Sequence, residues 1–441
     1  MADDALSKEL ITDLIRSAWV VEMARARVYE TWAGAEPRFS ASARRTGARA
    51  ALVARSLDAL GRTADAALVA PHVEWILGLA GADPATTPFS DLFLVRLGDW
   101  VDAHAAAFMT EGAGELKGLG VEERADVRVP EQMPQPAPFE PLSFPTVEPP
   151  GEVKFRFGIL SDLHIGSSLG EEMARAAIGD LNRSGAELVI QLGDLTDHGN
   201  KSEFESAAKT LAGLDMPAAT MMGNHDVYSY EEELLRGREY YPALFGRDPH
   251  GTLLEHKGIR FAVLDSAEDA LSPFAPFNLL TGTFMEGAGG AVTRGSLSAP
   301  QHDILAEVAA PGSGPAFIFL HHPPQPFTSF PPIIFGLRDL DSGRLHATCD
   351  SGNVWGVFAG HTHRNARPRD FGTTPVQEVA IPRDYPYGYA LVDVTANGYA
   401  YRWIQLSDRN LIHAALERAT LIHRRYGTGP EAARAFSWTR N

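Results

Sequence analysis

The sequence predicts a chain of α+β class in two parts, an all-α bundle followed by a layered core of alternating strands and helices. Three observations predict it. Residues 5–112 carry apolar positions at helical spacing, the stretch 129–150 is crowded with prolines, and from Phe155 onward short apolar runs alternate with helical segments. At 441 residues the chain exceeds one ordinary core, and a hydrophobic fraction of 44% with 22% charged residues belongs to a folded chain.

The first helix is marked by Leu10, Leu14, Ala18 and Val21, widened by Ile11 and Ile15. A second, Ala-rich, runs from about Ser42 to Leu60 and stops at Gly61. Pro71 opens a third, over His72 to Leu79, and a fourth spans Ser90 to Met109. Four such helices with short connections form a bundle for docking or oligomerisation. Glu22, Glu30, His72, Glu74 and His104 offer ligands for a di-iron site, but the paired Glu-x-x-His spacing is absent.

In VPEQMPQPAPFEPLSFPTVEPP the prolines deny both helix and ladder hydrogen bonds, so the stretch reads as a semi-rigid linker. Six buried-strand candidates follow: FRFGILSD, ELVIQLGD, AATMMGNHD, RFAVLDS, AFIFLHHPP and VWGVFAGHTH. The last strands, YALVDVTANG and YAYRWIQL, turn at Asn397 and Gly398, and a helix from about Arg409 to Arg425 follows.

A single cysteine, Cys349, excludes an internal disulfide and a thiolate cluster, as expected in a reducing cytoplasm. The N-terminus is acidic and lacks the basic, then apolar, pattern of a secretory signal. No apolar run approaches the roughly 20 residues of a membrane span. The net charge of −17, without a basic patch, argues against a nucleic-acid duplex as partner. An anionic substrate then needs a local source of positive charge, and bound metal provides one.

Five of the six runs end in residues that bind metal or move protons. They are Asp162 and His164 in SDLHIG, Asp194 and Asp197 in GDLTD, Asn224, His225 and Asp226 in GNHD, His321 and His322 in HHPP, and His361 and His363 in GHTH. The sixth ends in Asp265, read as structural. Each alone has a bland explanation as a loop or turn residue. Together, in this order and each after a strand, they point to a shared site.

The series D-x-H, GDxxD, GNHD, H-x-P and GHxH resembles the calcineurin-like metallophosphoesterase superfamily over about residues 155–407. The segments GDLTDHG through GNHDVY and GSLSAPQ look most like its branch of cyclic-nucleotide phosphodiesterases and glycerophosphodiesterases. The resemblance implies a four-layer αββα sandwich and two metal ions. Asp162, His164, Asp194 and His363 would hold one, and Asp194, Asn224, His321 and His361 the other, with Asp194 bridging. His322 is the alternative to His321, or a pocket residue. Imidazole and oxygen ligands suit Mn, Fe, Zn or Co as divalent or trivalent ions.

The implied reaction is hydrolysis of a small phosphodiester by hydroxide bridging the two ions; a phosphomonoesterase and a silent scaffold are the alternatives. His225 is the expected catalytic residue, touching a phosphoryl oxygen or protonating the leaving alkoxide, with Asp226 fixing its tautomer. A purely structural His225 is the competing reading. Asp197 orients the loop or a metal-binding histidine, and Arg364 and His198 are further substrate-contact candidates. Two irregular segments, Ser266 to Gly295 and Gln325 to Leu345, bring Phe274, Phe277, Phe284, Phe327, Phe330 and Phe335 as pocket or packing groups. The expected organisation is therefore a bundle at 1–128, a linker at 129–152, a catalytic domain at 153–407 and a C-terminal helical extension at 408–441, in a cytoplasmic enzyme able to form homo-oligomers.

Overall fold

In the computed structural model the described residues are 144–227, 237–246, 250–267, 294–325, 327–328, 334–416 and 427–440, with residue 69 and helical positions between 16 and 59. The chain divides into two compact units, one of residues 1–140, 274–290 and 327–334, the other of 141–273, 291–326 and 335–441. In the first, helix α1 (Arg38–Ala59) buries Ala43, Ala50, Val53 and Leu57, one face at helical spacing. It starts four residues before the expected second helix. Helical positions between 16 and 33 bury Trp19, Val20, Ala24, Val28 and Tyr29. The expected third and fourth helices lie outside the described residues.

The second unit is built on two sheets. Strands β1 (Phe155–Leu160), β2 (Leu188–Gln191), β3 (Ala218–Ala219), β4 (Thr252–His256), β5 (Ile259–Val263) and β6 (Ala316–Leu320) are followed by β7 (Val354–Ala359), β8 (Val376–Glu378), β9 (Gly388–Val394), β10 (Gly398–Gln405) and β11 (Ala435–Thr439). The first sheet has the order β11-β10-β9-β1-β2-β3 and the second β8-β7-β6-β5-β4. Strands β1, β2 and β3 are mutually parallel, as are β5, β6, β7 and β8. Their C-terminal ends therefore share one edge of each sheet.

Residue alternation sorts the side chains between layers. Phe317 and Phe319 of β6 join Phe157, Ile159, Ile190, Phe261 and Phe358 in the core between the sheets. Ala316, Ile318 and Leu320 of the same strand face outward, against helices α4 (Ala299–Ala309) and α5 (Asp339–Cys349), where Leu305, Val308 and Leu345 meet them. On the first sheet α2 (Gly170–Arg183) buries Met173, Ala174, Ala177, Ile178 and Leu181. A Cβ on Gly158 of β1 would stand 2.5 Å from Leu181, so the absent side chain lets α2 sit close. Helix α3 (Lys201–Leu211) starts where Glu203 accepts the Asn200 N–H at 3.3 Å. The result is a four-layer αββα sandwich.

Two sequence expectations are refined. Phe144, from the proline-rich stretch, packs against the core between the sheets. The C-terminal stretch is not helical throughout, and this corrects the expectation for 408–441. After helix α6 (Arg409–Leu416) it returns as β11, antiparallel to β10 from Gly398↔Thr439 to Arg402↔Ala435. Alternation explains it: in AFSWT, Phe436 and Trp438 both pack on the inter-sheet core, which gives a short terminal strand its hydrophobic face. Cys349 lies in the outer core, where burial pushes its thiol up to about 12. No helix among the described residues is long and apolar enough to cross a membrane.

Candidate metal centre

Every motif sits just past the C-terminal end of a parallel strand or, for GNHD, of the loop after β3. Hydrogen bonds across the shared edge fix the loops together. The Gly360 N–H donates to the His321 carbonyl at 3.0 Å, the Asp162 N–H to the Gly193 carbonyl at 3.2 Å, and the His361 N–H to Asp162 Oδ1 at 2.9 Å. The Ser161 hydroxyl donates to Asp162 Oδ2.

The backbone at these loops is unusual. Asp162, His164, Asp194, His361 and His363 have φ of 45°, 47°, 50°, 68° and 54°, five of the eight left-handed non-glycine residues among those described. Such conformations cost of order 1–3 kcal/mol each and persist where surrounding contacts impose them. The glycines of GN and GH have a matching reason. A Cβ on Gly223 would fall 2.2 Å from Asp194 Oδ1, and one on Gly360 2.5 Å from Asp162 Oδ2. The carboxylates occupy the space that side chains at those positions would need.

Ligand atoms of Asp162, His164, Asp194 and His363 lie within 4.8 Å of one another, and so do those of Asp194, His321 and His361. Asp194 belongs to both groups: its Oδ2 is 3.7 Å from His164 Nε2 and 3.4 Å from His321 Nε2. Asn224 Oδ1 is 2.9 Å from His321 Nε2, which places it in the second group. All seven residues expected as ligands are thus brought together around one carboxylate.

The donor set fits cations. His321 Nδ1 donates to the Leu192 carbonyl at 2.8 Å, His164 Nδ1 to Asp197 Oδ1 at 2.9 Å, and His363 Nδ1 to Asp384 Oδ2 at 3.1 Å. In each neutral ring the proton is on the outer nitrogen, so Nε2 turns a lone pair inward. The Nε2 atoms of His164 and His363 then face each other at 3.0 Å, and His321 Nε2 faces the Asn224 oxygen and, at 3.2 Å, His361 Nδ1. Lone pairs converging at such distances repel unless a positive charge stands among them.

The electrostatics agree. Burial, then the charges of Asp162 and Asp226, hold the Asp194 carboxyl well above its ordinary range, so the carboxylate needs a cation. Burial depresses His164 and His361 well below the usual imidazole value and His321 to about 4, keeping them neutral donors. At His363 the lowering by burial is overcome by hydrogen bonds to Asp162 and Asp384, which push it up to about 9. By themselves the side chains hold a proton there, where a metal ion would compete for the same lone pair.

His225 lies beside this cluster, its ring 4.7 Å from that of His164, its backbone N–H donating to Asp194 Oδ1 at 2.9 Å. Two sequence expectations are corrected here. Asp226 does not orient His225: it accepts from Leu195 N, Thr196 N, Gly223 N and the Thr196 hydroxyl at 2.8–3.0 Å, stapling GDLT to GNHD. Burial pushes its carboxyl up to about 6 against those bonds. The His225 Nδ1–H donates instead to the Asp197 carbonyl, at 2.7 Å. The physical reason is that a buried carboxylate is best satisfied by several backbone N–H groups, which its chain neighbour cannot supply.

Arg364 is the second correction. It is buried, with Nε 2.6 Å and Nη2 3.0 Å from the carboxylate of buried Glu378, so its charge serves the fold rather than a substrate. Asp197 orients His164 as expected. His198 Nδ1 meets Glu203 at 3.0 Å. His322 stays outside the ligand groups, bonded to the Ser266 hydroxyl at 2.9 Å with its ring against His361. Asp265 pairs with Arg238 at 2.8 Å. The side chains of Phe274, Phe277, Phe284, Phe327, Phe330 and Phe335 lie outside the described set. Sequence reasoning missed Arg383 and Asp384, in IPRDYPYG, which no motif signals.

The profile of the family described as calcineurin-like phosphoesterase matches residues 155–365. A probable cyclic nucleotide phosphodiesterase of Rhodopseudomonas palustris is 30% identical over 229 residues, covering 47% of this chain and 72% of the relative. Another, of Rhodococcus erythropolis, is 28% identical over 196 residues, 43% of this chain and 56% of the relative. Among solved structures, a dimetal phosphatase from Danio rerio aligns with a TM-score of 0.44 at 14% identity, covering 66% of this chain and all of that one, too loosely to bear on function. A two-sheet sandwich with its histidines and carboxylates at the shared strand ends, matched by a relative of which most is covered, leaves one assignment: this chain belongs to the calcineurin-like phosphoesterase family.

Proposed function

We propose that the chain is a dinuclear metal-dependent phosphohydrolase acting on small phosphodiesters. The observation that carries this reading is Asp194, whose carboxylate belongs to both groups of converging ligand atoms. Asp162, His164, Asp194 and His363 would hold one ion, and Asp194, Asn224, His321 and His361 the other, drawn from Mn, Fe, Zn or Co. When bound, the pair supplies an acidified water and positive charge for the phosphoryl group. Asp197 and Asp384 keep His164 and His363 in the tautomer that turns Nε2 inward. His225 donates from Nδ1 to the Asp197 carbonyl; only as the imidazolium, which burial disfavours, would it hold a second proton on Nε2 to give a leaving alkoxide. The diester preference is supported by the names of the two relatives and by the spacing from GDLTDHG to GNHDVY.

The test is to strip the protein with chelator, restore each metal separately, and assay phosphodiesters beside monoesters. Diester turnover that returns with metal is expected. Activity indifferent to chelation would sink the mechanism, and a monoester preference would sink the substrate class. We also place the enzyme in the cytoplasm and propose that it forms a homo-oligomer, the helical bundle expected at 1–128 being a surface for docking or oligomerisation. Recovery in the membrane fraction, or a monomer by sedimentation, would contradict these respectively.

A further inference from the structure

Two carboxylates orient the histidines of one ligand group. Asp197 Oδ1 accepts from His164 Nδ1, and Asp384 Oδ2 from His363 Nδ1. A single cation joins them: Arg383 reaches Asp197 Oδ1 with Nη1 at 3.4 Å and Asp384 Oδ1 with Nε at 3.3 Å. Asp197 comes from the loop after β2 and Arg383 from the loop before β9, so the guanidinium spans two loops that, among the described residues, share no backbone hydrogen bond. The second group is built differently. The outer nitrogen of His321 meets the neutral Leu192 carbonyl, which raises the basicity of an imidazole less than a carboxylate does.

We propose that Arg383 is a positioning residue that makes the two ion sites unequal, holding Asp197 and Asp384 so that the Asp162, His164, His363 site binds its ion the more tightly. This rests on the two-metal reading above. The arginine acts through geometry more than charge. Asp197, Asp384 and Arg383 side chains are 20%, 36% and 22% exposed, so solvent screens their charges, whereas releasing the guanidinium frees both carboxylates to rotate away from the imidazoles. A fork with two separate donors fits this bridge, and a lysine ammonium reproduces it only in part.

The experiment is a Co(II) titration of chelator-stripped protein, followed by bound-metal stoichiometry and by the visible absorption of the ion, whose bands report its ligand geometry. Wild type is expected to fill in two steps. Arg383→Gln should weaken the tighter step about tenfold, the low end for losing an outer partner of a metal ligand, alter the absorption of the first ion, and leave the weaker step in place. Arg383→Lys should fall between. Asp384→Asn should move the same step, and the double variant should cost less than the two single losses combined. An unchanged first step, or equal weakening of both steps, would overturn the assignment. A wild-type protein that takes up fewer than two ions would instead overturn the two-metal reading itself.

Discussion

At Asp194 a side chain and its surroundings are mismatched until positive charge arrives. Its carboxyl is raised by burial and by three neighbouring carboxylates, yet its oxygens point at imidazole lone pairs. Replacing Asp194 by Asn keeps the shape and removes the charge that two ions would share. We expect activity to fall about 100-fold or more with bound metal reduced, measured by turnover and metal analysis; a fully active variant would contradict the bridging role. His225→Ala should retain both ions and lose less, and its deficit should shrink with leaving groups that need no proton. Equal loss across leaving groups would argue for phosphoryl-oxygen contact instead. At Arg364, sequence position beside GHTH suggested substrate contact, whereas burial against Glu378 predicts a stability effect. Arg364→Leu should destabilise by about 3–5 kcal/mol in denaturant unfolding, because Glu378 is left buried and uncompensated, with KM near wild type.

Among the elements, the strand-end loops carry the chemistry because glycine lets them pass within contact distance of a carboxylate. In Gly223→Ala the new Cβ would meet Asp194 Oδ1 at 2.2 Å, and Asp194 must move. Overpacking of this kind costs about 1–3 kcal/mol, so the fold should survive while metal affinity drops, as equilibrium dialysis would register. Wild-type affinity in that variant would refute the steric account. The loops are legible in the amino-acid sequence: GD, GNHD and GHTH each follow an apolar run, and both the run and the turn are local properties. Asp384 is not legible there, because IPRDYPYG is an ordinary loop sequence and its partner His363 is 21 residues away. Asp226 is misread for the same reason. Its partners Leu195 and Thr196 lie about 30 residues upstream, and adjacency to His225 is a poor guide.

The whole molecule couples metal to stability through protons. His363 holds its proton to about 9 in the folded chain against an ordinary 6.5. At this group the native state therefore binds more proton than the unfolded state between those values, and the stability it contributes, complete below pH 6.5, is lost as pH rises through 9. A metal ion displaces that proton and meets less competition at higher pH. The gain in Tm on adding metal to stripped protein should thus grow from pH 6.5 to pH 9, read by calorimetry at matched ionic strength. A gain that shrinks over that range would contradict the linkage.

Sequence alone determined the layered α+β core and the order of its motifs, because strand periodicity and glycine-bounded loops are written in neighbouring residues, while the seven candidate ligands are those the family resemblance implies. It also implied a family, from five short motifs in order. Tertiary structure decided what each charged side chain does. The parallel strands bring residues 162, 194, 321 and 361 to one edge, and only there do distances select Asp197 and Asp384 as the outer partners of histidines, Glu378 as the partner of Arg364, and Arg383 as the bridge between loops. Such assignments depend on separations of a few ångströms between residues far apart in the chain, which local pattern does not encode.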